Sequence, residues 1–215
     1  MKKSIAVLGL GKYGKSLAAN LYRLGADVLA VDKNEELIQD FSDKCTSAVC
    51  ANLANEEEVN ALGLKNMDIV VVSMGDDLAA SILSISVAKE QGVPLVVAKT
   101  SSDRTTSILK KVGADRIVDP EGDGGIRSAR ILMSSRFQDY YELDANMFMI
   151  EMMPRDEWIG KSLIELDLRN SYNINVVAIK ERGELWHFAS PKSVITKHTI
   201  LLIVIEKEQI KGLQK

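Results

Sequence analysis

The chain has 215 residues, 46% of them hydrophobic and 27% charged, and a net charge of −3, a composition typical of an ordinary globular protein. No basic field argues for nucleic acid, and the apolar run at residues 200–205 is far short of the ~20 residues a membrane span needs. Met1, Lys2, Lys3 and Ser4 lead straight into a strand pattern. That leaves no room for a signal peptide, so a cytoplasmic chain is expected, one able to dock on a membrane protein.

Ile5, Ala6, Val7 and Leu8 form a short apolar run that meets Gly9-Leu10-Gly11-Lys12-Tyr13-Gly14. Leu17, Ala18, Leu21 and Leu24 then repeat at helical spacing, with Gly25 as the terminating residue. In this G-x-G-x-x-G pattern the first glycine permits the tight turn. The second lets a pyrophosphate approach the backbone, and the third lets the helix pack on the sheet. The helix N-terminus adds unpaired N–H groups and a partial positive charge. A second apolar run ends in Asp32, 18 residues after Gly14, where an acid accepts hydrogen bonds from both hydroxyls of an adenosine ribose.

Asn34 is a good N-cap for a helix with Leu37, Ile38 and Phe41 on its inner face. Residues 46–50 read as a third strand, and Asn55 followed by three glutamates starts the next helix. Residues 68–73 are almost continuously β-branched, as a strand covered on both faces should be. Met74, Gly75 and Asp76 break that run before a helix closed by Gly92 and Pro94. A fifth strand at 95–98, a helix ended by Gly113 and a sixth strand at Ile117 and Val118 complete a regular β-α repeat. The economical reading is a doubly wound parallel sheet of Rossmann type. Its ligand sits beyond the carboxyl ends of the strands, which carry the glycine turn, Asp32, Asn52, Met74, Gly75, Asp76, Lys99, Thr100 and Glu121.

Gly124 and Gly125 precede one more helix, whose apolar residues wrap more than one face. Residues 1–136 are therefore expected as the first domain, 137–144 as a periodless linker with Tyr140 and Tyr141 as a hinge staple, and 145–215 as a small α+β domain. In the latter, residues 147–152 read as a strand and Ser162 with Glu165 as a capping box. Residues 175–180 and 185–188 read as a hairpin, and 199–205 as a closing strand. Cys45 and Cys50 are too few for a closed zinc site and read as small half-buried hydrophobes. His187 and His198 have no Cys or acid at ligand spacing.

Four stretches resemble the regulators of potassium conductance, the RCK family built from TrkA-N and TrkA-C domains. They are the glycine turn; Gly113-Ala114-Asp115 with Pro120-Glu121; Trp158-Ile159-Gly160-Lys161-Ser162-Leu163 with Leu166-Asp167-Leu168-Arg169; and Ile174-Asn175-Val176-Val177-Ala178-Ile179-Lys180. The resemblance covers nearly the whole chain, and the single pair of domains is similar to the Ktr-type subunit. It implies homodimers assembled into an octameric ring under a membrane potassium-translocating subunit of Ktr/Trk type, with ATP/ADP or NAD(H) in the cleft. It also implies the site: Gly9, Gly11 and Gly14 on phosphates, Asp32 on the ribose, Asn52 and Leu53 beside the adenine. Met74, Gly75, Asp76, Lys99 and Thr100 line the cleft, and Tyr13, Lys33 and Thr105 complete it. Lys12 stands where the family commonly has an arginine that reaches a neighbouring subunit's γ-phosphate. Glu121 matches an acid that in some relatives helps bind a divalent cation. Arg169, Asn175, Val176, Val177, Ala178 and Pro191 match a cyclic di-AMP pocket of some relatives.

An NAD-dependent oxidoreductase is the alternative, and it needs a proton donor opposite the nicotinamide. The last third of the chain offers no His-Asp, Tyr-Lys or Arg-His constellation. A nucleotide-sensing transcription regulator needs a helix-turn-helix or a basic patch, and neither precedes the first strand.

Overall fold

The first six apolar runs become strands β1 (Ser4–Leu8), β2 (Asp27–Asp32), β3 (Ser47–Cys50), β4 (Ile69–Val72), β5 (Leu95–Lys99) and β6 (Arg116–Val118). They hydrogen-bond in the order β3-β2-β1-β4-β5-β6, every neighbouring pair parallel. Helices α1 (Lys12–Arg23), α2 (Glu35–Phe41), α3 (Glu56–Ala61), α4 (Leu78–Glu90) and α5 (Asp103–Val112) connect them. This is the doubly wound arrangement, and its strand order reverses between β1 and β4, where a crevice opens beyond the strand ends. The computed structural model describes residues 2–213.

Both faces of the sheet are covered, which is why its strands read as continuous apolar runs. Along β1, Ala6 and Leu8 pack with Val70, Val72, Ile85 and Leu109, whereas Ile5 and Val7 join Leu10, Ala18, Val28 and Phe41. Full burial of each large apolar side chain contributes roughly 1.5–3 kcal/mol. Helix starts are capped by side chains: Asn34 accepts from Leu37 N–H, Asn55 from Glu57 and Glu58, Asp77 from Ala80, and Ser102 from Thr105. Helix α1 differs. Its N-cap is Gly11, with no side-chain cap and no acid in the first turn.

The chain forms two compact units, Met1–Gly122 and Asp123–Lys215. The second contains β7 (Phe137–Glu142), β8 (Met147–Met152), β9 (Ile174–Glu181), β10 (His187–Phe188) and β11 (Thr199–Glu206). They form an antiparallel sheet in the order β10-β9-β11-β8-β7. Phe148, Ile150, Met152, Trp158, Leu201 and Ile203 make its core. The capping box forms at the start of the short helix Leu163–Leu166: Ser162 N–H donates to Glu165 Oε2 at 2.8 Å.

Two boundaries differ from the sequence reading. Residues 137–144, expected as a linker, contain β7. Its pairing with β8 slips between Phe137 and Asp139, so the buried Phe137 and Tyr140 fall three apart and no two-residue period shows. The helix expected after Gly124 and Gly125 instead runs through both, as α6 (Pro120–Leu132). Pro120 is suited to a first helical position, and Asp119 Oδ1 accepts the Gly122 N–H at 2.9 Å. Each glycine costs about 1 kcal/mol against alanine. Further along, Arg127 pairs with Asp139 and Arg130 with Glu142.

Candidate functional site

A cleft of about 580 Å3 opens where β1 and β4 end. Gly9 leaves β1 with φ +95°, and a Cβ there would stand 2.6 Å from Met74 Cγ. Gly14 faces inward: a Cβ would lie 2.0 Å from Gly9 O and 2.6 Å from Ser73 Oγ. Gly11 is the opposite case, with nothing within 4 Å of an added Cβ. The backbone at Gly11 therefore borders open cleft, next to the uncapped start of α1. Ser73, buried at the end of β4, donates its hydroxyl to the Leu8 and Gly9 carbonyls and pins the turn from below.

Asp32 ends β2 with its carboxylate already oriented. Its Oδ2 accepts from Leu10 N–H at 2.7 Å and its Oδ1 from Asn34 N–H at 2.9 Å. Each oxygen keeps a further lone pair for a ligand hydroxyl. Beyond β3, Asn52 N–H is held by Glu58 Oε2 at 2.7 Å, and Asn52 Oδ1 accepts from Ala54 N–H at 3.1 Å. Asn52 and Leu53 thus form a fixed wall on the side of Asp32 and Lys33, and Met74, Gly75 and Asp76 form the opposite wall.

Lys12 and Lys99 supply positive charge to the cleft. Lys99 Nζ is 2.8 Å from Glu121 Oε1, and that hydrogen bond holds the Glu121 carboxyl below its ordinary range. Burial raises the Tyr13 hydroxyl above its ordinary range, opposed by the charge of Lys99.

The expected residues Gly9, Gly11, Lys12, Asp32, Lys33, Asn52, Leu53, Met74, Gly75, Asp76, Lys99 and Glu121 all line this cleft. Tyr13, Gly14, Thr100 and Thr105 do not. Gly14 serves packing. Thr100 is buried and bonds to the Ser102 carbonyl, and Thr105 bonds to Ser102 at the start of α5. Sequence reasoning missed Ala54, Ser73, Asp77 and Ala80 as lining residues. Ser73 and Asp77 carried a signal, a hydroxyl ending a buried strand and an acid opening a helix.

In the second unit, a hollow of about 370 Å3 is bordered by Arg169, Asn175, Val176 and Pro191. Val177 and Ala178 lie further along β9, outside it. Among the described residues no group of three or more His, Cys, Asp or Glu is placed to hold a metal ion. Both cysteines are free thiols. No described helix is long and apolar enough to cross a membrane.

The strand order, the glycine turn and the acid ending β2 place the first unit in the Rossmann class of α/β proteins. Residues 5–120 match the TrkA-N domain model and residues 147–215 the TrkA-C domain model. The Ktr system potassium uptake protein A of Bacillus subtilis is 34% identical over 209 residues, 97% of this chain and 94% of that protein. The protein of the same name from Vibrio alginolyticus is 32% identical over 208 residues, 97% of this chain and 94% of that one. Among solved structures, the GsuK RCK domain superposes with a TM-score of 0.70 at 14% identity, covering all of this chain. The chain spans 47% of that protein's length, and the likeness is one of fold. The chain belongs to the TrkA-N/TrkA-C family that includes the Ktr system potassium uptake proteins.

Proposed function

We propose that this chain is a cytoplasmic regulatory subunit that senses an adenine nucleotide, ATP/ADP or NAD(H), and thereby gates a membrane potassium-translocating protein of Ktr/Trk type. The observation that carries the reading is the convergence of Gly11, the uncapped start of α1 and the backbone-held Asp32 on one cleft. Helix α1 opens with Lys12 and Lys15 and has no acid in its first turn. Cations there oppose the helix dipole, and a bound polyphosphate supplies the missing negative charge. In this reading the glycine turn and Lys12 hold phosphates, Asp32 takes the ribose hydroxyls, and Asn52 and Leu53 flank the base. Potassium enters through the relatives, which bear potassium uptake names and match over nearly their whole length.

A nucleotide moves such a system only through unequal affinity for two shapes of the assembly. A coupling of ~1–3 kcal/mol is enough for a graded regulator. Homodimers assembling into a ring of eight belong to the same proposal. So do a divalent cation beside Glu121 and cyclic di-AMP in the hollow bordered by Arg169 and Asn175.

The test is calorimetry of the purified chain with ATP, ADP and NADH, joined to potassium flux in vesicles that hold the membrane subunit. Binding of an adenine nucleotide and flux that depends on it are expected. Flux indifferent to nucleotide overturns the sensing role, as does NADH turnover with a small carbonyl substrate. Light scattering near eight subunits is expected, and a stable monomer counts against the ring.

A further inference from the structure

The Gly9–Leu10 peptide sits between the ends of β2 and β4 and is gripped at both poles. Its carbonyl accepts from Ser73 Oγ at 2.5 Å, and its N–H donates to Asp32 Oδ2 at 2.7 Å. The peptide before it lies the same way: Leu8 O accepts from Ser73 N–H and Gly9 N–H donates to Val31 O, both at 2.8 Å. Successive peptides of a strand point in opposite directions. The repeat is a departure from that rule, and Gly9, the residue between the two peptides, makes it with φ +95°. The side chains of Ser73 and Asp32 thereby carry the hydrogen bonding of β1 to its two neighbours one peptide further.

A trans peptide is rigid, and its C=O and N–H point opposite ways. Fixing the Gly9 carbonyl toward β4 therefore aims the Leu10 N–H at β2. Ser73 is 6% exposed. Leu8 O already has the Ser73 N–H, so the single hydroxyl proton serves the nearer acceptor, Gly9 O. The other Asp32 oxygen is held from its own side by the Asn34 N–H. We infer that Ser73 is a positioning residue for the ribose-binding carboxylate, acting on Asp32 through the Gly9–Leu10 peptide. This rests on the nucleotide reading above. Without the hydroxyl, the freedom of Gly9 lets that peptide turn over. Asp32 then loses its bond from Leu10, and a carbonyl oxygen turns toward the carboxylate.

Ser73→Ala removes the hydroxyl with little change in volume, and two measurements on the full chain read the result. Hydrogen–deuterium exchange resolved to single amides needs no ligand. The Leu10 N–H is expected to exchange about tenfold faster in the variant, while the Gly9 N–H, bonded to Val31 O, keeps its wild-type rate. Calorimetry with ADP, 2′,3′-dideoxy-ADP and inorganic pyrophosphate reads the ribose contact. The wild type is expected to prefer ADP to the dideoxy analogue by about tenfold or more, through hydrogen bonds to a charged group. In Ser73→Ala that preference is expected to shrink about 3–10-fold, the size of one neutral hydrogen bond. Pyrophosphate, which makes no ribose contact, is expected to stay within about twofold of its wild-type affinity.

A serine that served packing alone would loosen Gly9 and Leu10 together and weaken all three ligands alike, and either result overturns the inference. So does an unchanged Leu10 rate, or an unchanged preference for the ribose hydroxyls. A wild type that binds no ADP overturns the nucleotide reading, and one that binds ADP and its dideoxy analogue equally overturns the ribose role of Asp32. The Leu10 exchange rate tells either of those results from a failure of the Ser73 clamp.

Discussion

The backbone N–H of Leu10 donates to Asp32 Oδ2 at 2.7 Å and so ties the glycine turn after β1 to the last residue of β2. In the proposed reading the phosphate cradle and the ribose acid are therefore one hydrogen-bonded unit, built before a ligand arrives. Preorganisation of this kind lowers the ordering cost of binding. Asp32→Ala should therefore weaken ADP and adenosine alike by ~1.5–3 kcal/mol, the contribution of hydrogen bonds to a charged group, or about 10–150-fold in calorimetry. Unchanged affinity would place the ribose elsewhere.

Two glycines of the turn are expected to fail in different ways. A Cβ at Gly14 would stand 2.0 Å from Gly9 O, and backbone does not yield as a flexible side chain does. Gly14→Ala should cost 1–3 kcal/mol or more, as overpacking does, and lower the melting temperature. Gly11 has φ −62° and open space around its Cβ position. Gly11→Ala should melt within about 0.5 kcal/mol of the wild type yet bind pyrophosphate-bearing ligands more weakly. Loss of stability in Gly11→Ala with binding intact would reverse the two assignments.

The first unit was legible because parallel strands buried on both faces write themselves as apolar runs, and because Asn34 and Asn55 mark the helix starts. Most of the cleft followed, since the topology brings strand ends together. Thr100 and Thr105 were not separable from true lining residues, because whether a hydroxyl faces a ligand or closes a local turn depends on backbone angles at Ser102. The pairing of Lys99 with Glu121 joins a strand end to a helix start and has no local period. Strand β7 was hidden by its bulge at Phe137 and Asp139, and α6 by glycines that it tolerates.

Acid sensitivity of the second unit is expected from Asp139. Hydrogen bonding by Arg127 is the main cause that lowers its pKa from 3.8 to about 2, with Tyr141 and the Tyr140 N–H adding to it. The folded state binds this proton more weakly than the unfolded state does. The stabilisation is therefore complete above the unfolded value near 4 and is lost as pH falls toward 2. Because Arg127 is 47% exposed, solvent screening keeps the effect small. In urea unfolding followed from pH 5 to 2, the wild type should converge on Asp139→Asn as the pH drops. A constant difference between the two would show that the ion pair adds nothing.

The hollow in the second unit is expected to take an anion through Arg169. Asp167, which opens the helical turn bearing Arg169, adopts φ 41°, a left-handed conformation that Asp and Asn tolerate better than most residues. Both Asp167 oxygens accept from Asn170 Nδ2, at 2.9 and 2.8 Å. That carboxylate is therefore engaged beside Arg169 rather than on it, and the exposed guanidinium keeps its planar fork for a phosphate. Arg169→Ala should weaken cyclic di-AMP binding by ~1.5–3 kcal/mol. Melting temperature should hold, since the side chain is exposed, and ADP affinity should hold, since among the described residues none that lines the cleft lies in this unit. Parallel loss of ADP binding would mean that the substitution acts on the fold and not on the ligand. Unchanged cyclic di-AMP binding would move that ligand away from Arg169.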